Sequence, residues 1–318
     1  MNMMNYKIKK FDKIHKNEIL KLHENAFGFE KSGKYWDWRF NNHSLRKPFG
    51  KIAITNNTII SHYITQPIIC KKKHRMINSL MSMWTMTDPK YSNMGLMKTL
   101  AEKTFECAKQ EGYQLVIGFA NERSFGFFIK KFQFIKVKTM TESILNLPNN
   151  QKFKNKCDVI KIKIFDYSFT RFCNNNDQLK KKYSIPRTSK FLNWRYIQRP
   201  KNEYTCYKII NEKKFVGYFI LKKYEKKCQI IDFVLDNKIE IYESVLNKTI
   251  EFAKKNKLSK ISLWANSDES FLKYLQKKEF SEKNMNTYFI VKKLRNFFKN
   301  QVDDFDKWYI TMGDSDAF

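Results

Sequence analysis

Residues 81–134 read MSMWTMTDPKYSNMGLMKTLAEKTFECAKQEGYQLVIGFANERSFGFFIKKFQF, and this stretch decides the fold. It opens with an apolar, β-prone run that ends at Asp88-Pro89, because proline cannot continue a central strand. A short polar loop from Lys90 to Met94 leads to Gly95. Leu96, Met97, Leu100, Ala101, Thr104, Phe105 and Ala108 then recur at helical spacing, with Lys98, Glu102, Lys103, Glu106 and Lys109 on the other side. Gly112 is placed to end that helix. Leu115 to Ala120 reads as a short buried strand and Ser124 to Lys131 as a second short helix. Parallel strands joined through a helix imply an α/β protein with a mixed sheet.

The loop before the helix is the chemically distinctive part. N–H groups that begin a helix have no partner within it, and the helix dipole favours an anion there. The stretch resembles the GNAT acetyltransferases, whose acyl-CoA motif runs (Gln/Arg)-x-x-Gly-x-(Gly/Ala) between the fourth strand and its helix. Ser92, Gly95 and Met97 stand at the matching positions, after Asp88-Pro89-Lys90-Tyr91. Ser92 and Met97 depart from the motif's residue types. Asn121, Ser124, Phe128 and Phe134 are similar to the family's later signature. The resemblance implies acetyl-CoA as acyl donor, its pyrophosphate held by N–H groups of Ser92, Asn93, Met94, Gly95, Leu96 and Met97. It also implies a pantetheine arm paired with Met86 and Thr87, with Asn121 and Phe128 close by.

Elsewhere the order of elements agrees with that fold. Tyr6 to Asp12 reads as an edge strand and His15 to Phe27 as an amphipathic helix. An aromatic turn, Lys34 to Phe40, follows. Lys51 to Thr55 and Thr58 to Cys70 form a hairpin around Asn56-Asn57, and Ile77 to Thr87 leads into the loop. Beyond the polar stretch 148–156 the pattern begins again. Phe191-Leu-Asn-Trp-Arg-Tyr196 echoes Tyr35-Trp-Asp-Trp-Arg-Phe40, and Ala265-Asn-Ser-Asp-Glu-Ser-Phe271 echoes Ala120-Asn-Glu-Arg-Ser-Phe125. Two echoes in the same order indicate an internal duplication. The expected organisation is tandem GNAT-like domains: 1–147 with the acetyl-CoA site, a linker at 148–156, a degenerate copy at 157–293, and a helix and tail at 294–318 returning near the site. Leu235 to Glu240, where the copy's loop would fall, contains no glycine.

Composition narrows the class. A hydrophobic fraction of 42% describes a globular chain, and no apolar run reaches the ~18 residues that span a bilayer. Six cysteines without a C-x-x-C pair give no zinc pattern and fit reduced, cytoplasmic thiols. No metal is expected. The net charge of +30 comes from lysines spread along the whole chain, so no stable nucleic-acid partner is expected, but the field favours anionic small molecules.

Acetyl transfer to an amine needs a base for the amine proton and an acid for the departing thiolate. His62 and Asp88 are candidates for the base. The family's tyrosine on the short helix is replaced by Phe128 and Ile129, which leaves Tyr91, Tyr63 or water as the acid. Trp36 and Trp84 are candidate platforms for a small-molecule amine acceptor, whereas Trp38, Arg39, Trp194 and Arg195, present in both copies, read as packing. Asp314 and Asp316 in the tail are candidates to receive the amine. The resemblance extends to tandem enzymes of bacterial surface-polysaccharide synthesis, which implies a nucleotide-linked amino sugar. An aminoacyl-tRNA-dependent transferase and a non-catalytic binding protein are the alternatives.

Overall fold

The computed structural model describes residues 5–42, 47–148, 153–201, 203–265, 268–295 and 301–318. Part of the expected linker and the Asn266-Ser267 portion of the second echo lie outside them. The chain forms two compact units, one of Met1–Cys70, Met76–Val137 and Phe289–Asp303, the other of Lys71–Arg75, Lys138–Tyr288 and Asp304–Phe318.

In the first unit β1 (Lys7–Lys10) leads through a 3₁₀ turn into α1 (Lys16–Phe27). α2 (Gly33–Trp36) runs on as a π-helical turn over Asp37–Asn41. The hairpin β2 (Phe49–Thr55) and β3 (Thr58–Lys72) turns at Asn56 and Asn57, both left-handed with φ of 45° and 57°. That is the two-residue turn matching strand twist, and asparagine tolerates it better than most side chains. β4 (Arg75–Thr87), α3 (Leu96–Gln110) and β5 (Leu115–Asn121) make the parallel unit read from the sequence. α4 (Glu122–Lys130) begins two residues earlier than expected, capped by Asn121 Oδ1, which accepts from the Ser124 N–H at 3.0 Å. The strand order is β1-β2-β3-β4-β5. One core of this unit gathers Phe11, Ile19, Leu22, Trp36, Phe40, Ile52, Ile64, Met83 and Met86. α3 buries Leu96, Leu100, Ala101, Thr104, Phe105 and Ala108, the face its periodicity predicted.

The chain passes to the second unit within β6 (Ile135–Asn146). There follow β7 (Asp158–Ile162), α5 (Tyr167–Asn175), α6 (Asp177–Lys181) and α7 (Ser189–Leu192), the last again continuing as a π-helical turn, Asn193–Ile197. β8 (Tyr204–Asn211), β9 (Lys214–Tyr224) and β10 (Lys227–Leu235) form a meander, and α8 (Ile239–Lys255) crosses to β11 (Lys260–Leu263), parallel to β10. α9 (Glu269–Gln276) precedes β12 (Ser281–Lys293). Both units therefore carry a Trp-Arg π turn, a hairpin and a strand–helix–strand crossover in the same order, as duplication requires.

The units are not cut where the sequence placed the boundaries. β12 belongs to the second unit up to Tyr288, where Asn284 meets Thr141, and to the first from Phe289, which stacks on Phe119 at 5.2 Å. The stretch after it, through Asp303, also belongs to the first unit: the Leu294 N–H donates to the Gln114 carbonyl and Lys293 pairs with Asp303 at 3.3 Å.

The last fifteen residues dock within the second unit. Trp308, Tyr309, Ile310 and Met312 are buried. Arg187 reaches Asp314 at 2.5 Å and Asp232 at 3.4 Å, and Thr311 Oγ1 donates to Asp232 at 2.9 Å. Tyr196 and Tyr218 also donate to Asp232. Arg195 donates to the carbonyls of Gly313 and Ser315.

Candidate functional site

β4 pairs with β5 only over Ser79–Ser82 against Leu115–Gly118. At Trp84 the backbone turns left-handed, with φ of 50°, a conformation an L side chain adopts at a cost of about 1–2 kcal/mol. Past Ser82 the residues Met83–Thr87 lie outside the β5 register, although β3 still holds the end of the strand: the Asp88 N–H donates to the Ile60 carbonyl at 2.9 Å and Ser61 Oγ donates to that of Met86 at 3.3 Å. The two parallel strands thus part, leaving a seam beside Met86 and Thr87. In the second unit β10 pairs with the whole of β11, Lys227–Ile230 against Lys260–Leu263, and its register with β9 shifts at Ile230/Asp232.

The seam runs into the phosphate-type loop. Asp88 caps a 3₁₀ turn, Pro89–Tyr91, by accepting the Lys90 N–H, and its other oxygen accepts from Asn25 Nδ2, both at 2.9 Å. Asn93 and Gly95 take left-handed conformations, φ 64° and 72°, and α3 starts at Leu96. The first N–H returned to the helix is that of Thr99, to the Gly95 carbonyl at 3.1 Å, so those of Leu96, Met97 and Lys98 have no helical acceptor. No side chain caps them and no acidic residue stands in the first turn. By contrast, α8, whose N-cap is Lys238, carries Glu240 in its first turn, which opposes an anion.

A wall of rings flanks the seam. His23 packs on Phe27, Phe29 and Trp84, with centroids 4.8, 5.0 and 5.1 Å apart, and Tyr35 lies parallel to Trp84 at 5.9 Å. Phe27 and Phe29 are half exposed. Burial lowers the His23 pKa, so its ring is neutral near pH 7. His23, Asn25, Phe27, Phe29 and Tyr35 escaped the sequence reading. The signal they offered was aromatic density around Gly28, whose left-handed conformation (φ 77°) ends α1 and folds Phe29 back beside His23.

Several candidate residues have other places. His62 is fully buried against Phe11, and burial pushes its pKa down to about 3. An imidazole so reluctant to protonate is mismatched to an amine proton near neutral pH, which corrects its assignment as base. Trp36 is wholly inside the core, 4.3 Å from Phe40, and offers no face to an acceptor. Asp314 is spent on Arg187, and the half-buried Asp316 lies in the same docked segment of the second unit. Phe128 is packed between Phe132 and Phe134. Trp84, Met86, Thr87, Asp88, Tyr91, Asn93, Gly95 and Met97 are brought together by β4 and its loop. Ser92, Met94 and Asn121 are exposed, Ser92 and Met94 on that loop and Asn121 at the α4 cap. Among the described residues no group of three or more His, Cys, Asp or Glu is placed to hold a metal, and no helix is long and apolar enough to cross a membrane.

Residues 7–130 match the family model of the acetyltransferase (GNAT) domain. No curated protein matches the sequence. Among solved structures, a probable N-acyltransferase from Enterococcus faecalis superposes with a TM-score of 0.74 at 11% identity, covering 92% of this chain and 73% of that one. A GCN5-related N-acetyltransferase from Anabaena variabilis gives 0.69 at 12% identity, with the same coverage. A tandem GNAT protein from the clavulanic acid biosynthesis pathway gives 0.62 at 7% identity, covering 92% of this chain and 100% of that one. Identities this low establish a shared fold and leave the chemistry to the family model and the site. Residues 7–130 therefore resemble an acetyltransferase (GNAT) domain, set in a chain whose fold is that of a tandem GNAT protein.

Proposed function

We propose that the protein is an acetyl-CoA-dependent N-acetyltransferase acting on an amine of a small polar acceptor, a nucleotide-linked amino sugar. The observation that carries this reading is the parted β4–β5 seam running into the uncapped start of α3. Bound acetyl-CoA supplies an acetyl thioester. The N–H groups of Leu96, Met97 and Lys98 supply the anion seat for its pyrophosphate, with the α3 dipole aligned to help. Main-chain groups of Met86 and Thr87, freed from β5, line the seam where the thioester oxygen needs a donor. Asp88, fixed by Asn25, places a carboxylate at the end of β4, where it can accept a hydrogen bond from the acceptor ammonium or receive its proton. Tyr91 stands three residues on, at the end of the 3₁₀ turn. The ring wall offers stacking area for a sugar, and the net positive charge favours an anionic nucleotide.

Thermal unfolding with and without acetyl-CoA tests this reading. At about 100 times its Kd, a ligand adds roughly 2.7 kcal/mol, a shift of several degrees. Gly95→Glu should abolish the shift, because its carboxylate would sit in the phosphate seat. Nothing lies within 4 Å of a Cβ there, so the glutamate meets no clash and bears only the strain of a positive φ, about 1–2 kcal/mol. Gly95→Asn, uncharged and tolerant of positive φ, should keep most of the shift. A full shift in the glutamate variant would remove the site from this loop.

A further inference from the structure

The duplication sets a second carboxylate in the place of Asp88. In the first unit the Asp88 N–H donates to the carbonyl of Ile60, the third residue of β3. In the second unit the N–H of Asp236, the residue after β10, donates at 2.9 Å to the carbonyl of Val216, the third residue of β9. The surroundings of the two carboxylates differ. Asn25 donates to that of Asp88, whereas Asn176, where α5 meets α6, donates to the Leu235 carbonyl at 3.2 Å. The half-buried Asp236 carboxylate is left with no hydrogen bond or ion pair among the described residues, and burial raises its pKa. It lines a cavity of about 420 Å³, a size at the lower end of small-molecule sites. Phe172 and Phe215, stacked at 4.5 Å, line the same cavity. Its charged lining is Asp177 and Asp236 against Lys238, so it is net negative in a chain of net charge +30.

We propose that this cavity is a second ligand site, which binds a small primary amine without acylating it. The ammonium sits on Asp236 and Asp177, and the carbon frame lies against Phe172 and Phe215. A desolvated carboxylate without a partner costs free energy, and an ammonium that bonds to it removes that cost. Donor machinery is missing at this end of the second unit. Leu235 to Glu240 contains no glycine, and Glu240 in the first turn of α8 repels a pyrophosphate. The second unit thus keeps the carboxylate end of the duplicated site and has lost the phosphate end. This inference stands on the second unit alone and does not require that the first bind acetyl-CoA.

The test uses the full chain and two matched pairs: glucosamine against glucose, and cyclohexylamine against cyclohexanol. Amide exchange read by mass spectrometry follows peptides spanning 172–178 and 235–238 as each compound is titrated. At least one amine should slow exchange in both segments at a concentration about tenfold or more below that its hydroxyl counterpart needs, as a charge-assisted bond is worth. Which amine does so identifies a sugar or an alicyclic frame. Asp236→Asn, which keeps the shape and removes the charge, should raise the required concentration about tenfold or more. No protection by either amine, equal protection within both pairs, or protection undiminished in Asp236→Asn overturns the proposal. The acetyl-CoA melting shift, measured on the same samples, should be unchanged by Asp236→Asn and reports separately on the first unit.

Discussion

His62 sits on β3 with neither ring nitrogen hydrogen-bonded among the described residues, and with the Phe11 ring set edge-on to it. Burial keeps it neutral down to about pH 3, whereas in the unfolded chain it protonates near 6.5. Between those values the unfolded state binds the extra proton, so stability is complete above pH 6.5 and is lost as the pH falls toward 3. From 6.5 to about 5 this amounts to roughly 2 kcal/mol. His62→Leu should flatten that dependence: the drop in melting temperature between pH 7.5 and 5 should be several degrees smaller than in the native protein. Equal drops would mean that His62 takes up a proton in the fold. At this scale Gly95 was readable, because a glycine before a helical period has few other uses. A histidine on a strand carries no mark of its burial, and the packing of Phe29 on His23 exists only once Gly28 turns the chain back.

Elements repeat across the two units with different residues. The β8–β9 hairpin turns at Glu212-Lys213 with φ of 48° and 62°, the geometry that Asn56-Asn57 adopts in the first unit. No local preference announces it, and its place in the repeated order made it legible. The left-handed backbone at Trp84 was illegible for a related reason, since tryptophan seldom accepts positive φ and only the parting of β4 from β5 demands it. Glycines show the same dependence on surroundings. A Cβ on Gly313 would stand 2.1 Å from the Tyr196 hydroxyl and 3.1 Å from Asp232 Cβ, and Tyr196 is tied to Asp232 at 3.0 Å. Gly313→Ala should cost about 1–3 kcal/mol. Gly126→Ala, in the interior of α4 with nothing within 4 Å, should gain about 0.5–1 kcal/mol. Denaturant titration of both variants checks the pair of signs, and a loss in both would show α4 to be under a constraint of its own.

The whole molecule divides by contacts that sequence order hides. The Trp-Arg echo and the echo of Ala120–Phe125 in Ala265–Phe271 announced a duplication, but nothing local could announce that β12 gives its second half to the first unit. That exchange depends on a register set between residues far apart. The tail likewise reads as a mixture of aromatics and carboxylates until Arg187 is seen beneath it. A chain ended after Asp303 would leave the Arg187–Asp232 pair without Asp314 and would uncover Trp308's pocket. Disrupting a buried ion cluster in this way costs about 3–5 kcal/mol. The second unit should therefore lose its slow amide exchange, while the first, which keeps Phe289–Asp303, should still show the acetyl-CoA shift. Unchanged exchange protection in residues 204–235 would show the tail to be an accessory.

The docked tail also sets a timetable for synthesis. Arg187 and Asp314 stand 127 residues apart, so at about 5–20 residues per second the arginine leaves the ribosome roughly 6–25 s before the aspartate exists. The first unit waits too, since its sheet takes in Phe289–Lys293. During that interval the nascent chain carries two unfinished units of like design, each with open strand edges. Incomplete sheets invite wrong pairing, and two similar ones invite exchange between copies. The yield of native protein should therefore respond to translation speed over the codons between Arg187 and Asp314 more than to speed earlier.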